Sequence, residues 1–324
     1  MIDFRYHLVS IIAIFLALGL GIVVGTTALN GAVVDDLNRR VSGLKTDKDA
    51  LREQVLSLQD DADSANAFAR AVGPALVAGR LRGRDVGLIA APGAARDARD
   101  ALATMIERAG GRIVARVRMT DEFYDEKSAS EIDDVVARVV PPGLQLPRGS
   151  AAERATTALA FVLSTPLRRP AAGARPERPP PATTTSVIDA FQEANLVGVD
   201  GAAPRPAPLV VVLLPPVPKS PGSATADDLA GPLVALVRQL AQRAPAVVVA
   251  ASRTGATTNP MLLLLRRDSV VGGAASTVDG AESPQGQVAT VLALVDEVAG
   301  RRGDYGEGAG VDGALPSLEP SPAA

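Results

Sequence analysis

The sequence predicts an α/β protein in which an N-terminal transmembrane helix and a coiled coil precede a Rossmann-like, mainly parallel α/β domain. Three observations predict it. Residues 8–29 carry no charge, residues 34–72 repeat apolar side chains in heptads, and from residue 85 onward short Val-rich runs alternate with helical stretches.

A helix over residues 8–29 spans roughly 33 Å at 1.5 Å per residue, enough for a hydrocarbon core of about 30 Å. Arg5 and the α-amino group precede it, whereas Asp35 and Asp36 are the first charges after it, followed by Arg39 and Arg40. This bias predicts a cytoplasmic stub and membrane helix over residues 1–30, a single pass through the cell membrane in contact with lipid, and an extracytoplasmic remainder in the cell envelope. The alternative is a cleaved secretory signal, with Thr26 and Ala28 as the small residues of a cleavage site. Against it, the apolar run exceeds a signal peptide's 7 to 15 residues, and Asp3 offsets Arg5. Within the span Ala13, Ala17, Gly21 and Gly25 form a stripe where another helix could approach closely.

Residues 31–73 read as a coiled coil. Val34, Val41, Lys48, Val55, Ala62 and Ala69 fall at a, and Leu37, Leu44, Leu51, Leu58, Ala65 and Val72 at d. β-Branched residues at a with Leu at d favour a parallel homodimer, and the lone Lys48 layer fixes register at a cost in stability. Asp47 faces Arg52 of such a partner favourably, while Arg40 against Lys45 is repulsive. A helix packed on its own domain is the alternative. Gly73-Pro74 is expected to end the helix.

Residues 84–300 are expected to form the α/β domain. Residues 85–91 and 112–119 read as buried strands around a helix over 94–109, a βαβ unit. Helices are expected near 128–140, 151–164, 187–194, 226–243 and 286–298, with strands at 208–214 and 246–251. A Pro- and Arg-rich insertion near 165–185 reads as a loop, and residues 301–324 as a disordered Gly-, Ser- and Pro-rich tail.

Composition narrows the function. The 33 basic and 36 acidic residues are interspersed and leave a net charge of -3, which argues against nucleic acid as a partner. Aromatics are 3% and Trp is absent, so the core must be built mainly of Ala, Val and Leu. With no Cys and only His7, at the membrane boundary, the domain lacks a thiolate site, a Ser-His-Asp triad and a histidine metal cluster. The neighbouring carboxylates Asp35/Asp36, Asp60/Asp61 and Asp133/Asp134 diverge on helices and read as solvated faces rather than acid/base dyads. The turn Ala90-Ala91-Pro92-Gly93-Ala94 lacks G-x-G-x-x-G and reads as a β-to-α connection, and Ala250-Ala251-Ser252-Arg253-Thr254-Gly255 is a weak anion cradle. No catalytic, cofactor-binding or metal-binding residue is nominated, and no enzyme is expected.

The opening Ile2-Asp3-Phe4-Arg5-Tyr6-His7 and Ala13-Ile14-Phe15-Leu16-Ala17-Leu18-Gly19 resemble the N-terminus of the mycobacterial copper transport protein B (MctB) family of actinobacteria. So do Leu88-Ile89-Ala90-Ala91-Pro92-Gly93-Ala94, Ser276-Thr277-Val278-Asp279 with Gly286, and Tyr305-Gly306-Glu307-Gly308. The resemblance implies copper transport or efflux that lowers intracellular copper, and copper is the one cofactor it implies. Read directly, one membrane helix and a parallel sheet do not make a closed β-channel. Copper prefers thiolate, thioether and imidazole ligands, and the chain offers Met1, Met105, Met119 and Met261, of which Met105 and Met119 read as core. An indirect role through an envelope protein partner is the expectation. A dimeric coiled-coil scaffold linking the membrane to envelope growth or division machinery is the second reading. An enzyme or nucleotide binder rests on fold analogy alone.

Overall fold

The computed structural model describes residues 4–141, 144–165, 179–216, 226–253, 258–308 and 310–316. The chain divides into two compact units, Met1–Ala65 and Asn66–Ala324.

Helix α1, Phe4–Val77, is continuous over 74 residues. Its segment Tyr6–Gly25 is long and apolar enough to cross a membrane. The expected break at Gly73-Pro74 does not occur, because Pro74 lies inside the helix. A proline there costs a backbone hydrogen bond and crowds the preceding turn. Burial offsets that cost. Gly73 lies so close to Val288 that a Cβ on it would come within 2.7 Å of Val288 Cγ2, and Val77 and Leu81 are fully enclosed. Gly79, at φ +73°, provides the left-handed residue that ends the helix, and Arg80 Nε donates to the Leu76 carbonyl at 2.8 Å.

The second unit is built on one seven-stranded sheet in the order β3-β2-β1-β4-β5-β6-β7. Its strands are β1 (Asp85–Ala90), β2 (Arg112–Met119), β3 (Val197–Val199), β4 (Leu209–Leu214), β5 (Ala246–Ala251), β6 (Ser276–Asp279) and β7 (Asp304–Tyr305). Among the described strands only β3 runs antiparallel, against β2, and the other pairings are parallel. The centre consists of LVVVLL and AVVVAA, buried at every position, as strands covered on both faces require. Leu209, Val211 and Leu213 face a core with α2 (Arg96–Arg108) and α8 (Pro284–Val298), and the intervening Val210, Val212 and Leu214 face the other core. That second core contains α3 (Ala129–Val139), α4 (Ala151–Leu163), α5 (Pro181–Glu193), α6 (Ala226–Arg243) and α7 (Pro260–Arg267). Two apolar layers around an Ala-, Val- and Leu-rich sheet match the composition.

Two further expectations are corrected. Helix α5 begins at Pro181, inside the stretch 165–185 read as a loop; Pro is well placed in a first helical turn, and Thr184, Val187, Ile188 and Phe191 are buried beneath it. Residues 166–178 of that stretch lie outside the described residues. The tail expected to be disordered from residue 301 supplies β7, which pairs with Thr277 and Val278 of β6, and Tyr305 is 8% exposed. Asp312 N–H donates to the Asp304 carbonyl at 2.7 Å and Gly306 N–H to that of Gly313 at 3.0 Å. Composition gave this segment no core of its own; the sheet edge supplies the partners. Residues 317–324 lie outside the described residues.

Candidate functional site

In open parallel sheets, ligands bind beyond the carboxyl ends of the strands where the strand order reverses, here between β1 and β4. That position is packed. Ala91 N–H donates to the Leu213 carbonyl at 2.9 Å, and a Cβ on Gly93, which has φ +79°, would stand 3.4 Å from Pro215 Cβ. The turn passes into α2 through Ala95, which makes no side-chain cap.

Polar groups concentrate instead at the carboxyl ends of β5, β6 and β7. Asp279, the last residue of β6, has a side chain with no exposed surface. Its Oδ1 accepts from Gly280 N–H at 3.1 Å, and among the described residues its Oδ2 has no hydrogen-bond partner, with Arg253 Nε 4.0 Å away. Arg253, two residues beyond β5, donates from Nη1 to Glu307 Oε2 at 2.7 Å, and its backbone N–H donates to Glu282 Oε2 at 3.1 Å. Arg253 therefore meets three carboxylates, Asp279 and Glu282 from the end of β6 and its connection to α8, and Glu307 from beyond β7. Burial pushes the Asp279 carboxyl above its ordinary value, against the pull of Arg253 and Arg266, and burial likewise raises Glu282.

Glycine makes this approach possible. Gly306, at φ +119°, lies so near that a Cβ would come within 2.8 Å of Asp279 Cβ, and one on Gly308 would overlap Thr258 Oγ1 and Asp279 Oδ2. A Cβ on Gly286 would overlap the Gly280 carbonyl. The Ser276-Thr277-Val278-Asp279, Gly286 and Tyr305-Gly306-Glu307-Gly308 segments, singled out separately in the sequence, thus converge on one buried carboxylate.

Asn259 also holds this edge together and was missed in the sequence. It donates from Nδ2 to the Pro215 carbonyl at 2.8 Å and the Ser252 carbonyl at 3.0 Å, while Oδ1 accepts from Met261 N–H at 3.0 Å to cap α7. The signal was available in Asn259-Pro260, an N-cap residue followed by Pro at the first helical position. The weak anion cradle at 250–255 has Glu282, the chain's own carboxylate, on Arg253 N–H; Thr254 and Gly255 lie outside the described residues. Beside Glu282 a groove of about 660 Å³ runs between α2 and the end of α1, with Arg70, Asp97, Arg108 and Gln287 in its walls.

At the opposite end of β6, Glu297 is buried and accepts from Ser276, and burial pushes its carboxyl up to about 7. The other residues considered in the sequence stay apart. Met105 packs in the core under α2 and α8, whereas Met119 and Met261 belong to the core on the other face of the sheet. His7 lies exposed near the start of α1. Asp36 pairs with Arg40 at 2.8 Å, and Asp133 with Arg154, while Asp134 is exposed. Among the described residues, no group of three His, Cys, Asp or Glu side chains is arranged to hold a metal ion.

Residues 1–316 match the family model described as copper transport outer membrane protein, MctB. The chain belongs to the MctB family. Copper transporter MctB of Mycobacterium tuberculosis and that of Mycobacterium bovis are each 33% identical over 147 residues, 45% of this chain and 47% of theirs. Copper transporter MctB of Mycobacterium leprae is 28% identical over 147 residues, covering 45% and 46%. The chain spans about half the length of the curated relatives it matches. The family match includes the apolar helix, the whole sheet and the Arg253 cluster.

Proposed function

We propose that this chain is a membrane-anchored cell-envelope protein of copper homeostasis that helps to lower intracellular copper. The family match over residues 1–316 carries the reading, and the apolar segment Tyr6–Gly25 supports the anchor. In this reading the N-terminus is cytoplasmic, residues beyond the helix are extracytoplasmic, and α1 continues as a coiled coil. The strand order and parallel pairing favour a Rossmann-like description of the α/β unit.

The chain acts here without enzymatic chemistry and without holding copper itself, through an envelope partner. Three buried methionines on two faces of a sheet, with no cysteine, favour an indirect role. Deleting the gene should raise cell-associated copper, measured by elemental mass spectrometry, and sensitise cells to copper. Unchanged copper content and growth would remove the proposal. Titrating copper into the purified chain separates the indirect role from direct binding.

A second reading, a dimeric scaffold linking the membrane to envelope growth or division machinery, is favoured by one observation. The apolar heptad residues Leu37, Val41, Leu44, Leu51, Val55 and Leu58 of α1 are uncovered. Crosslinking in cells that captured only a self-dimer would count against it.

A further inference from the structure

Leu37, Val41, Leu44, Leu51, Val55 and Leu58 project from α1, each more than half exposed. No described segment of the chain covers them. Nearer its end the helix changes company: Asn66, Ala69 and Val72 are half-buried, and Gly73 and Val77 are buried against the α2 and α8 layer. The seam therefore thins to Ala62 and Ala65 just where α1 begins to pack on its own α/β unit.

We propose that a second copy of this chain covers the stripe, as a parallel, in-register two-stranded coiled coil over residues 34–58, beyond which each α1 packs on its own domain. This deepens the scaffold reading and does not depend on copper. Val at a with Leu at d is the combination that selects two parallel strands. Charge decides the direction. In parallel register, Lys48 at a lies beside Asp47 of the partner subunit at the preceding g, so the ammonium can snorkel to a carboxylate. The same Asp47 of the partner subunit also faces Arg52. An antiparallel pair centred on Thr46 would instead set Asp47 against Asp47 and Lys45 against Lys45. The parallel register also sets Arg40 against Lys45, one repulsive contact against the two favourable ones made by Asp47. Membrane anchors inserted the same way up impose the same direction.

The absence of cysteine permits a clean test on the full chain in its membrane. Leu44→Cys and Leu51→Cys place a thiol in the d layer, where an in-register parallel pair sets each residue opposite itself. Thr46→Cys and Glu53→Cys place it on the opposite face of the helix. After a copper-free thiol oxidant, or a short bismaleimide, the d-layer variants should run at twice the chain mass and the outer-face variants at the monomer mass. No dimer from either d position, equal crosslinking from the outer face, or a product joined to a protein of another mass would overturn the pairing. Copper content after gene deletion reads the homeostasis proposal separately.

Discussion

Glu297 accepts two hydrogen bonds from Ser276, one from the backbone N–H and one from the hydroxyl, each 2.7 Å long, with its side chain out of contact with solvent. Its second oxygen lies 3.2 Å from Arg302 Nε. Burial outweighs these attractions and pushes the carboxyl up to about 7. An acid whose folded value exceeds its unfolded value gives up its proton first in the unfolded chain. Stability therefore falls as pH rises from the ordinary value near 4.5 through 7, and stays low above that. Asp279 and Glu282, also raised, act in the same direction. Glu297→Gln keeps an acceptor for Ser276 and removes the charge, so at pH 8 it should be more stable than the parent, by up to about 3 kcal/mol. Thermal unfolding at pH 5, 6, 7 and 8 checks this; a parent curve as flat as the variant's would refute it.

Arg253 and Asp279 should behave as a coupled pair. Arg253→Met leaves a buried carboxylate without its nearest cation and releases Glu307, which predicts a loss of roughly 3 kcal/mol or more. Asp279→Asn in the same chain should restore part of that loss. A double-mutant cycle by denaturant unfolding measures the coupling, and additive losses would show that the 4.0 Å approach carries no energy.

Gly286 and Gly300 separate close packing from backbone freedom. Gly286→Ala drives a Cβ into the Gly280 carbonyl, whereas a Cβ on Gly300, at φ +78°, meets nothing within 4 Å. The first should cost several kcal/mol and the second about 1 kcal/mol. Equal costs in denaturant titrations would contradict the packing seen between the start of α8 and the end of β6.

The proposed anchor predicts that the cellular protein retains residues 1–29. Intact-mass analysis of protein extracted from membranes should account for the full N-terminus, apart from processing of Met1. A chain beginning at Leu29 or Asn30 would replace the membrane helix with a signal peptide.

Patterns with short periods were enough to specify much of this protein from the sequence. The helical spacing along α1 and the Val-rich strands are local, and hydrophobic periodicity of that kind reports a segment's secondary structure directly. The central strands β1, β4 and β5 were legible because burial on both faces demands continuous apolar residues. The short elements were not. β7 is two residues long, β3 three, and α7 reads PMLLLLRR, in which length and periodicity cannot separate helix from strand.

The candidate site was legible only in pieces. Ser276-Thr277-Val278-Asp279, Gly286 and Tyr305-Gly306-Glu307-Gly308 stood out separately, but nothing local announced that they meet. Arg253 stood out only as part of a weak anion cradle, because its role comes from carboxylates 26, 29 and 54 residues away. Likewise, the polar sequence after residue 301 gave no reason to expect order until an open edge of β6 offered it hydrogen bonds. The amino-acid pattern determined which segments are apolar and with what period. Tertiary structure decided which polar residues share a low-dielectric site, since that depends on strand order and chain crossing, which leave no periodic trace in the sequence.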